Sequence, residues 1–190
     1  PKSTYVLGLD LNRRGADETA FVVLEKPFTT EDIFISYLET QNYSKLTEAI
    51  GRTLNLHSHF NFKKIYIDST GLGSGVCDVL KEKIMHNIVE EVIFTRGSKA
   101  EMFYNLKLLL QQGKIKIPMY PGSTNPLVKK LYFQFLSIQQ EFTSDSSIPK
   151  ITHERGTHDD LICSLALSAL YFKPLKHSHK GYFLGGRSSQ

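Results

Sequence analysis

A chain of 190 residues with 41% hydrophobic content can bury one substantial core, so a single domain is the expectation. Its formal net charge of +4 and pI near 9.0 are compatible with a polyanionic partner without requiring one. No stretch approaches the roughly 18 apolar residues of a membrane span, and the polar start Pro1-Lys-Ser-Thr4 is not a signal peptide, which leaves a soluble protein with no membrane partner.

In chain order, Tyr5 to Leu11 reads as a strand and Thr19 to Glu25 as its antiparallel neighbour, joined by a polar loop from Asn12 to Glu18. A third strand is predicted at Asp32 to Glu39, a helix at Ser44 to Leu56 with Ser44 as its N-cap, and a short apolar strand running into Asp68. The pattern then alternates: helix Ser74 to His86, strand Glu91 to Phe94, helix Lys99 to Gln111, strand Lys114 to Ile117 and helix Asn125 to Gln140. Glu141 to Arg155 reads as a loop or small hairpin with Ile148 to Ile151 as its strand-like piece, and a last helix runs from His158 to about Phe172. These elements predict a mixed α/β sheet, antiparallel at its opening and parallel afterwards, with helices on both faces. The domain spans 1–173; the basic tail 174–190 holds too little apolar content to pack. Cys77 and Cys163 lack metal-ligand spacing and read as reduced core thiols, and the proline start, close before the first strand, reads as a domain cut from a longer protein.

Three acids stand where acids are costly. Asp10 ends the apolar run Tyr5-Val-Leu-Gly-Leu-Asp10, Asp68 ends Ile65-Tyr-Ile-Asp68, and Asp159-Asp160 opens an almost wholly apolar helix. A buried charge normally requires a partner or a metal. Alternation puts Val6, Gly8, Asp10 and Asn12 on one face of the first strand, a small-residue face that a helix bearing Asp160, Ser164 and Ser168 at one-turn spacing could approach. If the strands of Asp10 and Asp68 are parallel neighbours, their backbones lie about 4.8 Å apart and both carboxylates can reach one ion. Oxygen-only donors suit Mg²⁺ or Mn²⁺ rather than zinc.

Gly8-Leu-Asp10, Ile67-Asp68-Ser-Thr-Gly-Leu-Gly73 and His158-Asp-Asp-Leu-Ile-Cys-Ser-Leu-Ala-Leu-Ser168 resemble the nuclease domain of viral large terminase subunits of the tailed-phage type, in the ribonuclease H-like superfamily. Phe103-Tyr-Asn-Leu-Lys107 leading to Gly113-Lys-Ile-Lys-Ile-Pro118, and Asp17-Glu-Thr-Ala20 entering the second strand, extend the resemblance over nearly the whole chain. It implies a ribonuclease H-like fold and a metal-dependent endonuclease that cuts concatemeric double-stranded DNA during packaging, using two divalent cations and little sequence preference. It also implies that Asp10 bridges both cations, Asp68 binds one and Asp160 supplies the third carboxylate. Neighbouring helix residues point about 100° apart, so one of Asp159 and Asp160 is expected as the direct ligand, with Asp160 favoured by its alignment with Ser164 and Ser168. His158 and Asn12 are expected just behind the ligands, and Arg13, Arg14, Lys99, Lys129, Lys130 and Arg155 along a DNA track. The chain carries no Walker motif, so an ATPase motor is expected elsewhere on the full-length polypeptide, with portal and small terminase subunit as further partners and the host-cell cytoplasm as location.

Blander readings compete. Thr157-His-Asp-Asp160 also fits a capping box, and Gly71-Leu-Gly-Ser-Gly75 fits a tight turn before a helix better than a phosphate cradle. The basic residues could be ordinary solvated surface, and His57, His59, His177 and His179 have no ligand spacing. At the level of function, the rivals are a junction resolvase or transposase-like nuclease, an actin-like nucleotide binder, for which the chain has room for only one lobe, and a catalytically silent DNA-docking module.

Overall fold

The computed structural model describes residues 3–11, 18–43, 45–71, 73–118 and 124–172. β1 (Ser3–Asp10), β2 (Thr19–Pro27) and β3 (Ile33–Gln41) form an antiparallel meander, and β4 (Lys64–Asp68) lies parallel to β1 on its other side. β5 (Val89–Val92) and the two-residue β6 (Ile115–Lys116) join as parallel edges, giving the order β5-β4-β1-β2-β3-β6. This is the mixed sheet the sequence predicts, with β1 central and neighboured on both sides.

Alternation along β1 divides the core. Leu7, Leu9 and Leu11 join Phe21, Val23, Ile65 and Ile67 against α1 (Leu46–Phe60) and α2 (Gly73–Lys83). Val6 joins Ala20, Val22, Leu24 and Tyr66 on the opposite face, under α3 (Arg96–Gln111), α4 (Pro126–Ser137) and α5 (Asp160–Ala169). Each fully buried leucine or isoleucine contributes roughly 1.5–3 kcal/mol. α5 is buried along its whole length, which explains why its sequence is apolar all round rather than on one stripe. Cys77 and Cys163 are free and buried, and no helix of the described residues is long and apolar enough to cross a membrane.

Gly8 fixes the position of α5. A Cβ at Gly8 would run into the backbone carbonyl oxygen of Ser164 and come within 2.7 Å of the Ser168 amide nitrogen, so helix backbone rests directly on strand backbone. The Ser164 hydroxyl donates to the Gly8 carbonyl at 2.7 Å and reaches the Ala20 carbonyl at 3.2 Å, satisfying a buried polar group across two strands.

Several boundaries differ from the sequence reading. The N-cap of α1 is Lys45, whose amide donates to Glu48 Oε2 at 3.2 Å, while the serine expected there lies outside the described residues. α1 runs a turn further because Phe60 packs on Tyr5, Tyr37 and Phe62, and it stops at Asn61 in the left-handed region, φ 53°. α2 begins at Gly73 and ends at Lys83, short of His86, and α3 starts at Arg96 because the Thr95 side chain caps the Ser98 amide. β5 sits two residues early, where Val89 can be buried beside Ile65. The largest departure follows α4, which ends at Ser137 rather than Gln140. Ile138 instead opens β7 (Ile138–Thr143), paired antiparallel with β8 (Ser146–His153). Apolar spacing in α4 continues through Ile138, so periodicity alone carries the helix too far. Arg96 secures this hairpin by donating to the Ile148 carbonyl at 2.8 Å and to Thr143 Oγ1 at 2.7 Å. The last helix is also shorter than read, Asp160–Ala169, and the tail expected at 174–190 lies outside the described residues.

Replacing Gly8 with alanine should cost about 3 kcal/mol or more, because the new methyl group meets backbone that cannot step aside. Gly51→Ala in α1, where nothing stands within 4 Å of a new Cβ, should instead stabilise by about 0.5–1 kcal/mol. Urea unfolding of both variants checks the contrast; equal effects would mean that the α5–β1 contact is not the tight one described.

Candidate functional site

Parallel pairing of β1 with β4 ends at Leu9 opposite Ile67, so Asp10 and Asp68 leave neighbouring strands side by side at the carboxyl end of the sheet. Both follow residues that face α5, Gly8 and Tyr66 two positions earlier, and alternation directs them to that face. The Gly8 contact brings Asp160 to the same corner, since residues 160, 164 and 168 rise one turn at a time along the helix flank that lies on β1. Asp68 is 8% and Asp160 6% exposed.

The electrostatics record how close these acids are. The Asp10 carboxyl is pushed well above its ordinary value, first by burial and then by the charges of Asp68, Asp160 and Asp159 in turn, with Lys99 pulling the other way. Asp68 is held by Thr70, whose amide donates to Oδ1 at 2.9 Å and whose hydroxyl bonds the same oxygen while accepting from the Phe94 amide at 2.7 Å. Asp160 Oδ2 accepts a long bond, 3.4 Å, from the Glu18 amide, and the Glu18 carboxylate pairs with Lys130 at 2.8 Å.

Asp159 is separated from this trio. Its carboxylate pairs with Lys99 Nζ at 2.8 Å and lies 3.4 Å from both His153 Nδ1 and the Cys163 sulfhydryl. Burial raises its pKa, but Lys99 and then His153 more than offset that and hold it below the ordinary value. The capping-box reading is corrected: Asp159, not Thr157, is the N-cap residue, its side chain makes no capping bond, and the Thr157 hydroxyl donates to the Glu154 carbonyl at 2.7 Å. The Ile162 amide, which an N-cap side chain would take, is bonded by Gln134 Oε1 from α4 at 3.0 Å. The Gly71 region is the tight turn: Gly71 has φ 82°, and a Cβ at Gly73 would strike the Asp68 carbonyl.

The remaining expected residues scatter. His158 and Lys130 line a shallow cleft of about 240 Å³ beside the start of α5, within electrostatic reach of Glu18. Lys99, read as part of a DNA track, lies in the acid cluster, over the rings of Phe94 and Phe103 at 5.6 and 5.9 Å. Lys129 is exposed and stands over Phe133 at 6.0 Å, and Arg155 is exposed in the turn before α5. Asn12, Arg13 and Arg14 lie outside the described residues. Thr70 was findable, since an Asx-type turn is common two residues after an aspartate; Gln134 and Glu18 left no local signal.

As they stand, no three of the described His, Cys, Asp and Glu side chains are gathered in ligand geometry. Thr70 holds Asp68 and the Glu18 amide bonds Asp160, so closing on an ion would require Asp68 and Asp160 to turn from these donors. The Thr70 and Glu18 donors are uncharged, and the shared donor type, carboxylate oxygen crowded by like charge, fits a hard divalent cation.

The sequence model of the family described as "Terminase RNaseH-like domain" matches residues 7–170. The fold is similar to that of the large terminase nuclease from thermophilic phage G20c with bound magnesium, at 20% identity and TM-score 0.71 over 90% of this chain and 82% of that one. It is also similar to the nuclease domain of the large terminase subunit gp2 of bacterial virus Sf6, at 12% identity and TM-score 0.65 over 87% of each. Other structures of the G20c nuclease carry cobalt or zinc, and others of the Sf6 domain carry manganese or calcium. No curated protein matches the chain by sequence.

The raised Asp10 carboxyl makes a signed prediction. A group whose folded pKa exceeds its unfolded value destabilises the fold once the pH passes the unfolded value of 3.8, and increasingly up to the folded one. In metal-free buffer at pH 7, Asp10→Asn should therefore melt higher than wild type, by about 2–4 °C for each kcal/mol relieved. The gap should close as the pH falls towards 3.8. Thermal unfolding across pH reads this directly; a lower melting point for the variant at neutral pH would show that the cluster is not under charge strain.

Proposed function

The chain belongs to the terminase RNaseH-like domain family, and from that membership together with its acid cluster we propose that it is a metal-dependent endonuclease that cuts double-stranded DNA during packaging of a viral genome. The observation that carries this reading is the Asp10 carboxyl, partly buried at the carboxyl end of the sheet and pushed up by desolvation and by the charges of Asp68, Asp160 and Asp159. Such a cluster is costly in a protein that does not use it, and strongly perturbed acids concentrate at functional sites.

In this reading Asp10 would be shared between two cations, Asp68 would bind one of them and Asp160 would complete the set. Two Mg²⁺ or Mn²⁺ ions, when bound, supply an activated water and neutralise charge on the phosphodiester. The protein's own part is positioning. β1 and β4 hold two carboxylates on adjacent rigid strands, the Gly8 contact holds the third against them, and Thr70 fixes Asp68 through the exit of β5. His158 and Lys130 stand beside Asp160, near enough to take part in phosphate or proton handling at that edge.

DNA would be held through its phosphates. Lys129 on α4 and Arg155 in the turn before α5 offer exposed cations, and Arg13 and Arg14 follow Asp10 closely in the sequence. Contacts of that kind carry little sequence information and weaken steeply with salt. The ATPase motor, on the same full-length polypeptide, would supply processive DNA movement, with portal and small terminase subunit as further partners in the host cytoplasm.

Supercoiled plasmid incubated with Mn²⁺, Mg²⁺ or EDTA tests the proposal. Nicking and linearisation should require the metal and fall by on the order of a hundredfold or more in Asp10→Asn and in Asp160→Asn, with circular dichroism unchanged. Metal-independent cleavage, or full activity in both variants, would overturn it. DNA binding with no cleavage under any metal would favour a docking module.

A further inference from the structure

Asp159 is the N-cap residue of α5, and aspartate is among the strongest side chains for that position, yet it caps nothing. Its capping place is taken by Gln134, whose Oε1 accepts the Ile162 amide at 3.0 Å from a different helix. The carboxylate so released pairs with Lys99 at 2.8 Å, and the Lys99 ammonium lies over the rings of Phe94 and Phe103 with its side chain only 22% exposed. Lys99 also acts electrostatically on Asp10, so one ammonium faces both the separated acid and the crowded one. Gln134 and Lys99 thus act on Asp159 from two elements, one removing its local task and the other giving it a new partner.

We propose that Lys99 is a positioning residue that commits Asp159 to an ion pair, leaving Asp160 as the helix-borne ligand, and that its charge sets how tightly the cluster takes a divalent cation. This rests on the metal-site reading above. Without the ammonium, Asp159 is free to turn towards Asp10, a fourth carboxylate joins the cluster, and a positive charge opposing the cation is gone. Cation binding then strengthens while the arrangement of ligands around the ion changes. Lys99→Arg, which keeps both the charge and a donor for Asp159, preserves the wild-type arrangement.

Calorimetric titration of the purified protein with Mn²⁺ tests this, with plasmid cleavage as a second readout. Lys99→Met should bind Mn²⁺ about tenfold tighter than wild type or more and cleave less well at saturating metal. Lys99→Arg should restore both properties. Lys99→Met combined with Asp159→Asn should lose most of the gain in affinity, because the freed carboxylate that supplied it is absent. A purely structural lysine, packed on two rings, would give lower melting points with Mn²⁺ affinity unchanged, and that result overturns the proposal. If wild type binds no Mn²⁺ and Asp10→Asn and Asp160→Asn behave like it, the metal-site reading falls and this one with it. If wild type binds Mn²⁺ through Asp10 and Asp160 but Lys99→Met binds it equally well, only the role of Lys99 falls.

Discussion

Everything at the carboxyl end of the sheet depends on one backbone contact, the seat of α5 on Gly8. A helix normally stands off a sheet by the length of the side chains between them; here the missing Cβ lets the Ser164 carbonyl and the Ser168 amide rest on the strand itself. The Ser164 hydroxyl then bonds the carbonyls of Gly8 and Ala20, so the approach leaves no polar atom of that serine unsatisfied. Because interiors are close-packed, this depth of insertion fixes both the height of the helix and its rotation. A helix standing further off would present Asp160 to solvent rather than to Asp10.

Against that mechanical precision stands an electrostatic conflict. Folding drives three carboxylates into one corner, burying Asp68 and Asp160 and partly burying Asp10, and the result is visible in the raised Asp10 carboxyl. The structure relieves part of the strain through neutral donors, the Thr70 amide and hydroxyl for Asp68 and the Glu18 amide for Asp160. Cations are placed one step out: Lys130 on Glu18, Lys99 on Asp159. Had these two ammonium groups bonded Asp68 and Asp160 directly, most of the cluster's charge would be cancelled and it would be closed to a cation from solution. Local rules of stability are violated where function needs them violated, and the surrounding core supports the difference.

The sequence discloses those parts of this arrangement that are written in local pattern. Alternation in Tyr5 to Leu11 separates the two faces of β1, and the glycine at position 8 on the small face foretells the close helix. The acids at 10, 68 and 160 stand out because each interrupts or closes an apolar run. What is not legible is pairing across the chain. Gln134 bonds Ile162 across 28 residues, Lys99 meets Asp159 across 60, and Glu18 meets Asp160 across 142, and nothing in the identity of any of them announces its partner. Lys99 looks like surface because lysine usually is; only the fold shows two aromatic rings beneath it. The end of α4 fails for the opposite reason, since its apolar spacing persists into Ile138 while the chain has already turned into β7.

The shape of the site bears on the size of what it would accept. A cleft of about 650 Å³ lies at the far end of β1 between Ser3, Phe28, Phe62 and Met85, and no acid is among its described lining residues. The acid cluster instead lies at the carboxyl end of the central strands, with the shallow cleft of His158 and Lys130 and the turn bearing Arg155 near the start of α5. A small substrate gains affinity by enclosure, burying most of its surface in a pocket. A DNA duplex cannot be enclosed that way and gains affinity from many phosphate contacts spread over a surface. A carboxylate cluster at the carboxyl end of the sheet, with basic side chains nearby, matches the second kind of ligand, and it places the burden of specificity on whatever presents the DNA rather than on the cluster itself.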